Sequence, residues 1–168
     1  RNIYPKKKSL NIIRIGTSGS LQKEVDTNSF IVSDYALGID GLAHFYKNQE
    51  VLDKQMSDAF EKHTNWPKNL SSPYVVKASN NLLKKFSDIK KGITITSPGF
   101  YGPQGRELRI KPSINNLQEK IRTFSYNGNK IMNFEMETSA LYYLGKTLGH
   151  NTITLCAIMG NRYTKEYS

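Results

Sequence analysis

Four short polar groups in this sequence hold residue types able to grip an anion or a planar ligand. Each one follows an apolar run: Arg14-Ile15-Gly16-Thr17-Ser18-Gly19-Ser20, Phe100-Tyr101-Gly102-Pro103-Gln104-Gly105-Arg106, Asn133-Phe134-Glu135-Met136-Glu137 and Gly160-Asn161-Arg162. Ligands in open parallel sheets gather outside the carboxyl ends of strands, so four such groups at four strand ends describe one pocket.

Arg14 sits within an apolar run, where an unpaired guanidinium is costly. Two arrangements satisfy it equally well: an anion, whose oxygens match the guanidinium fork, or an internal carboxylate partner. Gly16 and Gly19 permit a tight turn whose N–H groups would add donors to an anion, and Thr17 and Ser18 add hydroxyls. The segment is neither a Walker loop nor a G-x-G-x-x-G fingerprint. Glu135 and Glu137 open a helical pattern, where the helix dipole favours carboxylates in any case. Glu137 shares a face with Leu141 and Leu144 and is therefore expected to point inward, where it could accept hydrogen bonds from a diol. Met136 between them reads more readily as core. Phe100, Gln104 and Arg106 read either as a surface turn with a buried aromatic, or as a stacking ring with an amide and a guanidinium at the ligand edge. His44, His63, His150 and Cys156 have no metal-ligand spacing; Cys156, among Leu155, Ala157 and Ile158, reads as a buried thiol.

Elements that would position these groups follow from periodicity. Strands are expected at Leu10–Ile15 (buried on both faces), Phe30–Ser33, Gly92–Thr96, Lys130–Phe134 and Thr152–Met159. Leu42–Lys47 and Val51–His63 show weak helical patterning, Ser72-Pro73 opens a helix to about Phe86, and Ser113–Thr123 fits a short helix. Asn127-Gly128 is a turn; Glu137, Leu141, Leu144 and Leu148 form a helical stripe that Gly149 ends. Alternating strands and helices indicate an α/β fold with a largely parallel sheet.

The length of 168 residues suits one domain over 1–168, and 38% hydrophobic with 23% charged residues is ordinary for a globular chain. No apolar run approaches the roughly 20 residues of a membrane span, and Arg1–Leu10 lacks a signal-peptide pattern. One cysteine excludes an internal disulfide framework and fits a reducing cytoplasm. The net charge of +10 fits a nucleic-acid binder, steering of small anions or a solvated surface. The clusters Lys6-Lys7-Lys8, Lys84-Lys85 and Lys90-Lys91 lack interleaved aromatics, which favours the solvated surface.

Taken together, the four groups resemble the uridine phosphorylase branch of the nucleoside phosphorylase family. Arg14-Ile15-Gly16-Thr17-Ser18-Gly19 is similar to its phosphate motif Arg-x-Gly-Thr-x-Gly; Phe100-Tyr101 with Gln104-x-Arg106 to its uracil loop; Asn133–Glu137 to its ribose motif; and Asn161-Arg162 to the pair after its late strand. The resemblance runs from about Leu10 to Arg162 and is least specific over Asp34–Pro73. It implies a three-layer α/β/α sandwich around a mixed, partly barrel-like sheet. It also implies that Arg14, Gly16 and Thr17 bind phosphate, and that Met136, Glu137, Glu135 and Thr17 hold ribose. Phe100, Gln104 and Arg106 would bind the base, with Arg162 supporting their loop. Arg14, Gln104 and Arg106 would be catalytic. The implied reaction is phosphorolysis of a pyrimidine nucleoside to free base and ribose 1-phosphate, with phosphate as co-substrate and no metal or organic cofactor.

Implied partners are the small nucleoside and phosphate, not nucleic acid or a membrane, within a homo-oligomer, a dimer or a trimer of dimers. Family members carry a Gly-Asp-Pro loop before the Arg-x-Gly-Thr strand and borrow a His and an Arg from a neighbouring subunit. This chain is accordingly expected to match an excerpt of the enzyme. The Gly102-Pro103 order also differs from the loop of familiar members. Within the same fold, a purine phosphorylase would place an Asp near the last strand, where Ile158–Arg162 has none, and a nucleosidase would not need Arg14. A non-catalytic nucleoside-binding fragment and a basic nucleic-acid module are the readings from other classes; the latter predicts steeply salt-dependent affinity.

Overall fold

A computed structural model describes residues 8–168; the opening residues 1–7, with Lys6, Lys7 and most of the segment read for a leader, lie outside the described residues. Its frame is a mixed sheet of eight strands: β1 Asn11–Ser20, β2 Phe30–Gly38, β3 Tyr74–Lys77, β4 Lys91–Thr96, β5 Ser125–Tyr126, β6 Asn129–Glu135, β7 Asn151–Asn161 and β8 Glu166–Tyr167. Neighbours run β3-β2-β4-β6-β1-β7-β8, and a further β2–β7 pairing closes β2, β4, β6, β1 and β7 into a five-stranded barrel. The helices are α1 Lys54–Thr64, α2 Asn80–Leu83, α3 Leu117–Thr123 and α4 Thr138–Thr147. No helix among the described residues is long and apolar enough to cross a membrane.

Side-chain alternation along the strands builds three layers. Leu37 and Val75 face one core, with Met56 and Phe60 of α1 and Leu117 and Ile121 of α3. Their chain neighbours Ala36 and Val76 face a second core, under Tyr142 and Tyr143 of α4. Helices therefore lie on both sides of the sheet. Phe60 packs edge-on to Phe124 with ring centroids 5.2 Å apart, the favoured aromatic geometry.

The sheet is less parallel than alternation of strands and helices suggests. Parallel pairs join β1 to β7, β2 to β4 and β4 to β6; antiparallel pairs join β1 to β6, β2 to β3 and β2 to β7. The β1–β6 contact is confined to Gly19–Ser20 against Asn133–Phe134, so two strands of opposite sense meet at their carboxyl ends. That meeting brings the ends of β1 and β7 to those of β4 and β6.

Three expectations are corrected here. β1 is not buried on both faces: Ile13 and Ile15 point outward and are 47% and 77% exposed. β1 also continues through Gly16 and Gly19 to Ser20, with no turn there. The helix expected from Ser72 begins only at Asn80, because Tyr74-Val75-Val76 forms an edge strand antiparallel to β2. Its aromatic and β-branched side chains fill both cores at once, and Pro73 precedes the strand, where an absent N–H is harmless. The helical patterning at Leu42–Lys47 resolves as a 3-10 turn over Leu42–Phe45. The expected turn at Asn127-Gly128 closes the β5–β6 hairpin, with both residues at positive φ (48° and 78°), as a tight two-residue hairpin turn requires.

Candidate active site

The barrel interior is polar. Asn133 donates to Ser18 Oγ (2.8 Å), Thr94 donates to Asn133 Oδ1 (2.8 Å), and Thr94 and Ser33 share a hydroxyl contact of 2.5 Å. Such a ladder is stable only when each member is satisfied, and it fixes the strands that carry the functional side chains.

At the end of this ladder opens a cleft of about 920 Å³, within the size range of small-molecule sites. Ten of the residues singled out from the sequence line it: Arg14, Gly16 and Thr17 from β1; Phe100, Gln104 and Arg106 from the loop after β4; Glu135, Met136 and Glu137 from the end of β6; and Arg162 after β7; Tyr101, Asn133 and Asn161 do not. Arg14, Arg106, Arg162 and Lys165 outnumber the two carboxylates among its lining residues, which favours an anionic ligand.

Arg14 lies along the inner face of β1, its Nη1 3.3 Å from Glu135 Oε2 and its Nη2 paired with Glu137 Oε2. The internal carboxylate partner is therefore present. A guanidinium has five N–H donors, so Arg14 keeps donors for a second acceptor. Gly16 serves Arg14 by close approach: a Cβ on Gly16 would lie 2.6 Å from Arg14 Nη1 and 2.8 Å from its Cζ. The guanidinium lies flat over the glycine two residues on. Because only a flexible side chain is in the way, Gly16→Ala should leave the melting temperature almost unchanged while displacing the guanidinium. We expect the cleft's affinity for an oxyanion, read by calorimetry with inorganic phosphate as probe, to fall at least about tenfold, as for loss of one charge-assisted hydrogen bond. Unchanged affinity would disprove this role for Gly16.

Of the two glutamates, Glu135 and not Glu137 is the one that points inward. Glu135 is the inward carboxylate, its side chain 2% exposed; Oε1 accepts from Thr96 Oγ1 (2.5 Å), and Oε2 accepts from the backbone N–H groups of Glu137 (3.0 Å) and Thr138 (2.9 Å). It thus caps α4 and anchors Arg14, leaving little capacity for a sugar. Glu137 precedes α4 at its cap position, and its side chain is 60% exposed in the cleft rather than inward with Leu141. The helical phase that suggested otherwise does not apply, because Glu137 is outside the helix. Thr17 is exposed and lines the same cleft as Arg14.

The loop after β4 holds Gln104 almost fully buried. Its Nε2 donates to Ser97 Oγ (2.9 Å) and its Oε1 accepts from Arg162 Nη2, which fixes the amide orientation. Arg162 thus bonds to the loop through Nη2, while its buried Nη1 has no partner among the described residues. Burial, and secondarily the charge of Arg106, push the Arg162 guanidinium down to about 10, so it remains cationic at neutral pH. Arg106 donates through Nε (3.2 Å) and Nη2 (2.8 Å) to the Phe100 carbonyl, with its plane over the rings of Phe100 (4.3 Å) and Tyr101 (4.7 Å). Its Nη1 and the second N–H of Nη2 remain as donors for a ligand.

Cys156 is buried beside Arg14 Nη1, 3.8 Å from Sγ. Burial first, and the Glu135 carboxylate second, push its thiol up to about 11. A folded-state value above the unfolded one means its contribution to stability is complete below about pH 8.5 and fades as pH rises through about 11. Iodoacetamide at pH 8 should leave Cys156 unlabelled in the native protein and label it fully in guanidinium chloride, as read by mass spectrometry. Rapid native labelling would contradict the buried thiol. The histidines all bond to main-chain groups: His44 to Ser72 O, His63 to Lys120 O and His150 to the Leu10 N–H.

Sequence reasoning missed Gln118, Met159, Lys165 and Tyr167, which also line the cleft. Tyr167 lies on β8, a two-residue strand paired to Gly160–Asn161, and Lys165 lies in the turn before it at φ 61°. A hairpin that short has no periodicity to detect. The Tyr167 ring lies where a Cβ on Gly160 would be (2.8 Å), so the one usable sign was the glycine within an apolar strand.

Comparison with known proteins agrees with this geometry. The family model for the phosphorylase superfamily matches residues 8–167. A uridine phosphorylase of Thermococcus kodakarensis is 26% identical over 166 residues, covering 92% of this chain and 50% of that protein. A DeoD-type purine nucleoside phosphorylase of Clostridium novyi is 27% identical over 156 residues, covering 93% and 54%. Among solved structures, a Trypanosoma brucei nucleoside phosphorylase, described as showing uridine phosphorylase activity, matches with a TM-score of 0.79 and 25% identity over 94% of this chain and 56% of its own. The chain spans about half the length of the curated relatives it matches. With the polar barrel, the Arg14–Glu135 pair and a match across nearly its whole length, the chain belongs to the phosphorylase superfamily, among the nucleoside phosphorylases.

Proposed function

We propose that this chain carries the phosphorolytic site of a pyrimidine nucleoside phosphorylase, acting on a uridine-type substrate. The observation that carries this reading is the convergence of Arg14, Glu137 and the Gln104–Arg162 pair on one cleft. Phosphate would lie against the free donors of Arg14 with Gly16 and Thr17 beside it. Ribose would lie between Met136 and Glu137, whose exposed carboxylate accepts from the sugar hydroxyls. The base would stack against Phe100.

Gln104 and Arg106 together favour a pyrimidine, because hypoxanthine shares the carbonyl and N–H that the amide reads but lacks the second carbonyl. Ser97 and Arg162 fix the Gln104 amide, leaving one N–H to donate and one Oε1 lone pair to accept. A uracil edge offers a carbonyl and an N3–H in that order, and the second carbonyl suits Arg106 Nη1. In the reaction the C1′–N1 bond breaks with its electron pair leaving on the base, through an oxocarbenium-like state. Arg106 and Gln104 stabilise the departing anion, which then takes a proton from solvent. A phosphate oxygen held by Arg14 forms the new C1′–O bond. Glu135 positions Arg14. The reading calls on phosphate as co-substrate and on no other cofactor.

The name of the Thermococcus relative supports the pyrimidine choice, while the Clostridium relative keeps a purine substrate as the competing outcome. We further propose that residues 1–168 act as one domain within a homo-oligomer in the cytoplasm, with small-molecule partners only. Incubating the full-length protein with phosphate and, separately, uridine, thymidine, deoxyuridine and inosine tests the reading by ³¹P NMR. A pentose 1-phosphate signal from the pyrimidine nucleosides supports it; a signal from inosine alone replaces it with a purine phosphorylase.

A further inference from the structure

A second cavity, of about 440 Å³, shares no lining residue with the cleft. Its walls are mainly apolar, with Trp66, Leu70, Pro103, Ile114 and Leu117 among them, and Asp40 and Lys111 are its charged lining residues. Asp40 follows β2, so the cavity also lies at a strand's carboxyl end, where α/β sheets accept ligands.

The carboxylate is held rigidly and by neutral donors. Oδ1 accepts from the Tyr74 hydroxyl (2.8 Å) and the Leu42 N–H (2.7 Å), and Oδ2 accepts from Ser139 Oγ. Burial raises the Tyr74 phenol, which keeps it protonated as a donor. A carboxylate has about four acceptor positions, so one on Oδ2 stays open. Among the described residues no Lys, Arg or His nitrogen lies within 4.0 Å of Asp40, although Lys111 lines the same cavity. A charge bordered by apolar walls and lacking a counter-ion attracts a cation, and an indole face adds to that attraction.

We propose that this cavity is a binding site for a small organic cation, a protonated amine on a flat apolar body. The ammonium group takes the open position on Asp40 Oδ2 and the body packs against Trp66 and Leu117. The site is separate from the phosphorolytic reading and does not depend on it.

Trp66 is the single tryptophan of the sequence, so its fluorescence reports on the cavity directly. Benzylamine at neutral pH serves as probe, with benzyl alcohol as its uncharged counterpart, titrated into the full chain. The expected result is a saturable change in emission with benzylamine, at least about tenfold weaker with benzyl alcohol and in Asp40→Asn. Because Asp40→Asn touches the Tyr74 and Ser139 contacts, Leu70→Arg at the rim provides an independent variant and should weaken benzylamine equally. No saturable change, equal response to the alcohol, or undiminished binding in both variants overturns the proposal. Emission that shifts with protein concentration before any probe is added also overturns it, by showing a second copy seated in the cavity.

Discussion

Replacing Arg14 with alanine is expected to lower kcat/KM for phosphorolysis by about 10²–10³-fold, the usual loss when a preorganised charged donor is removed. The guanidinium is the one cation on the inner face of β1, and it is aimed by Glu135, Glu137 and the absent side chain of Gly16. Arg14→Ala also leaves Glu135 buried without its counter-charge, so some stability is lost as well. Arg14→Lys separates the two effects. It keeps the charge beside Glu135 but not the bidentate fork, so stability should recover more than activity does. Steady-state rates at varied phosphate, with thermal melts of all three proteins, read both quantities. Uracil binding, followed by calorimetry, should persist, because Gln104 and Arg106 come from the loop after β4 and make no hydrogen bond or ion pair with Arg14 among the described residues. Unchanged phosphate dependence in Arg14→Ala would remove the phosphate role.

Gln104→Ala is expected to cost uridine about 10- to 100-fold in kcat/KM. The effect has two parts. The base loses a fixed donor and acceptor, and Arg162, whose Nη1 already lacks a partner among the described residues, loses the acceptor of its Nη2. Gln104→Glu distinguishes them: a carboxylate would pair with Arg162 and keep the loop folded, yet it cannot donate to a base carbonyl. If Gln104→Glu retained full uridine activity, the amide would be holding the loop and not reading the base.

Much of the site was legible because each functional group ends a run of apolar residues with a clear period. Lys91–Thr96, Asn129–Glu135 and Asn151–Asn161 are short, apolar and bounded by turn residues, and the polar groups after them fall into one cleft. What misled was local. Gly16 invited a turn because glycine permits one, but its missing Cβ makes room for Arg14 within a continuous strand. Glu137 continued the helical stripe on paper, yet it lies before the first helical residue, and the buried Glu135 two positions earlier took the inward place. Tyr74–Lys77 read as helix because strand and helix share short apolar runs; only its pairing with β2 decides. Barrel closure depends on β2 reaching β7 across a long sequence separation, which no local pattern encodes.

The most direct test of the central claim follows uridine cleavage by the full-length protein through the absorbance change on uracil release, with and without inorganic phosphate and with inosine as the purine control. Uracil release that requires phosphate, with inosine left intact, is the predicted result. Release at the same rate without phosphate would make the enzyme a hydrolase and contradict the role given to Arg14.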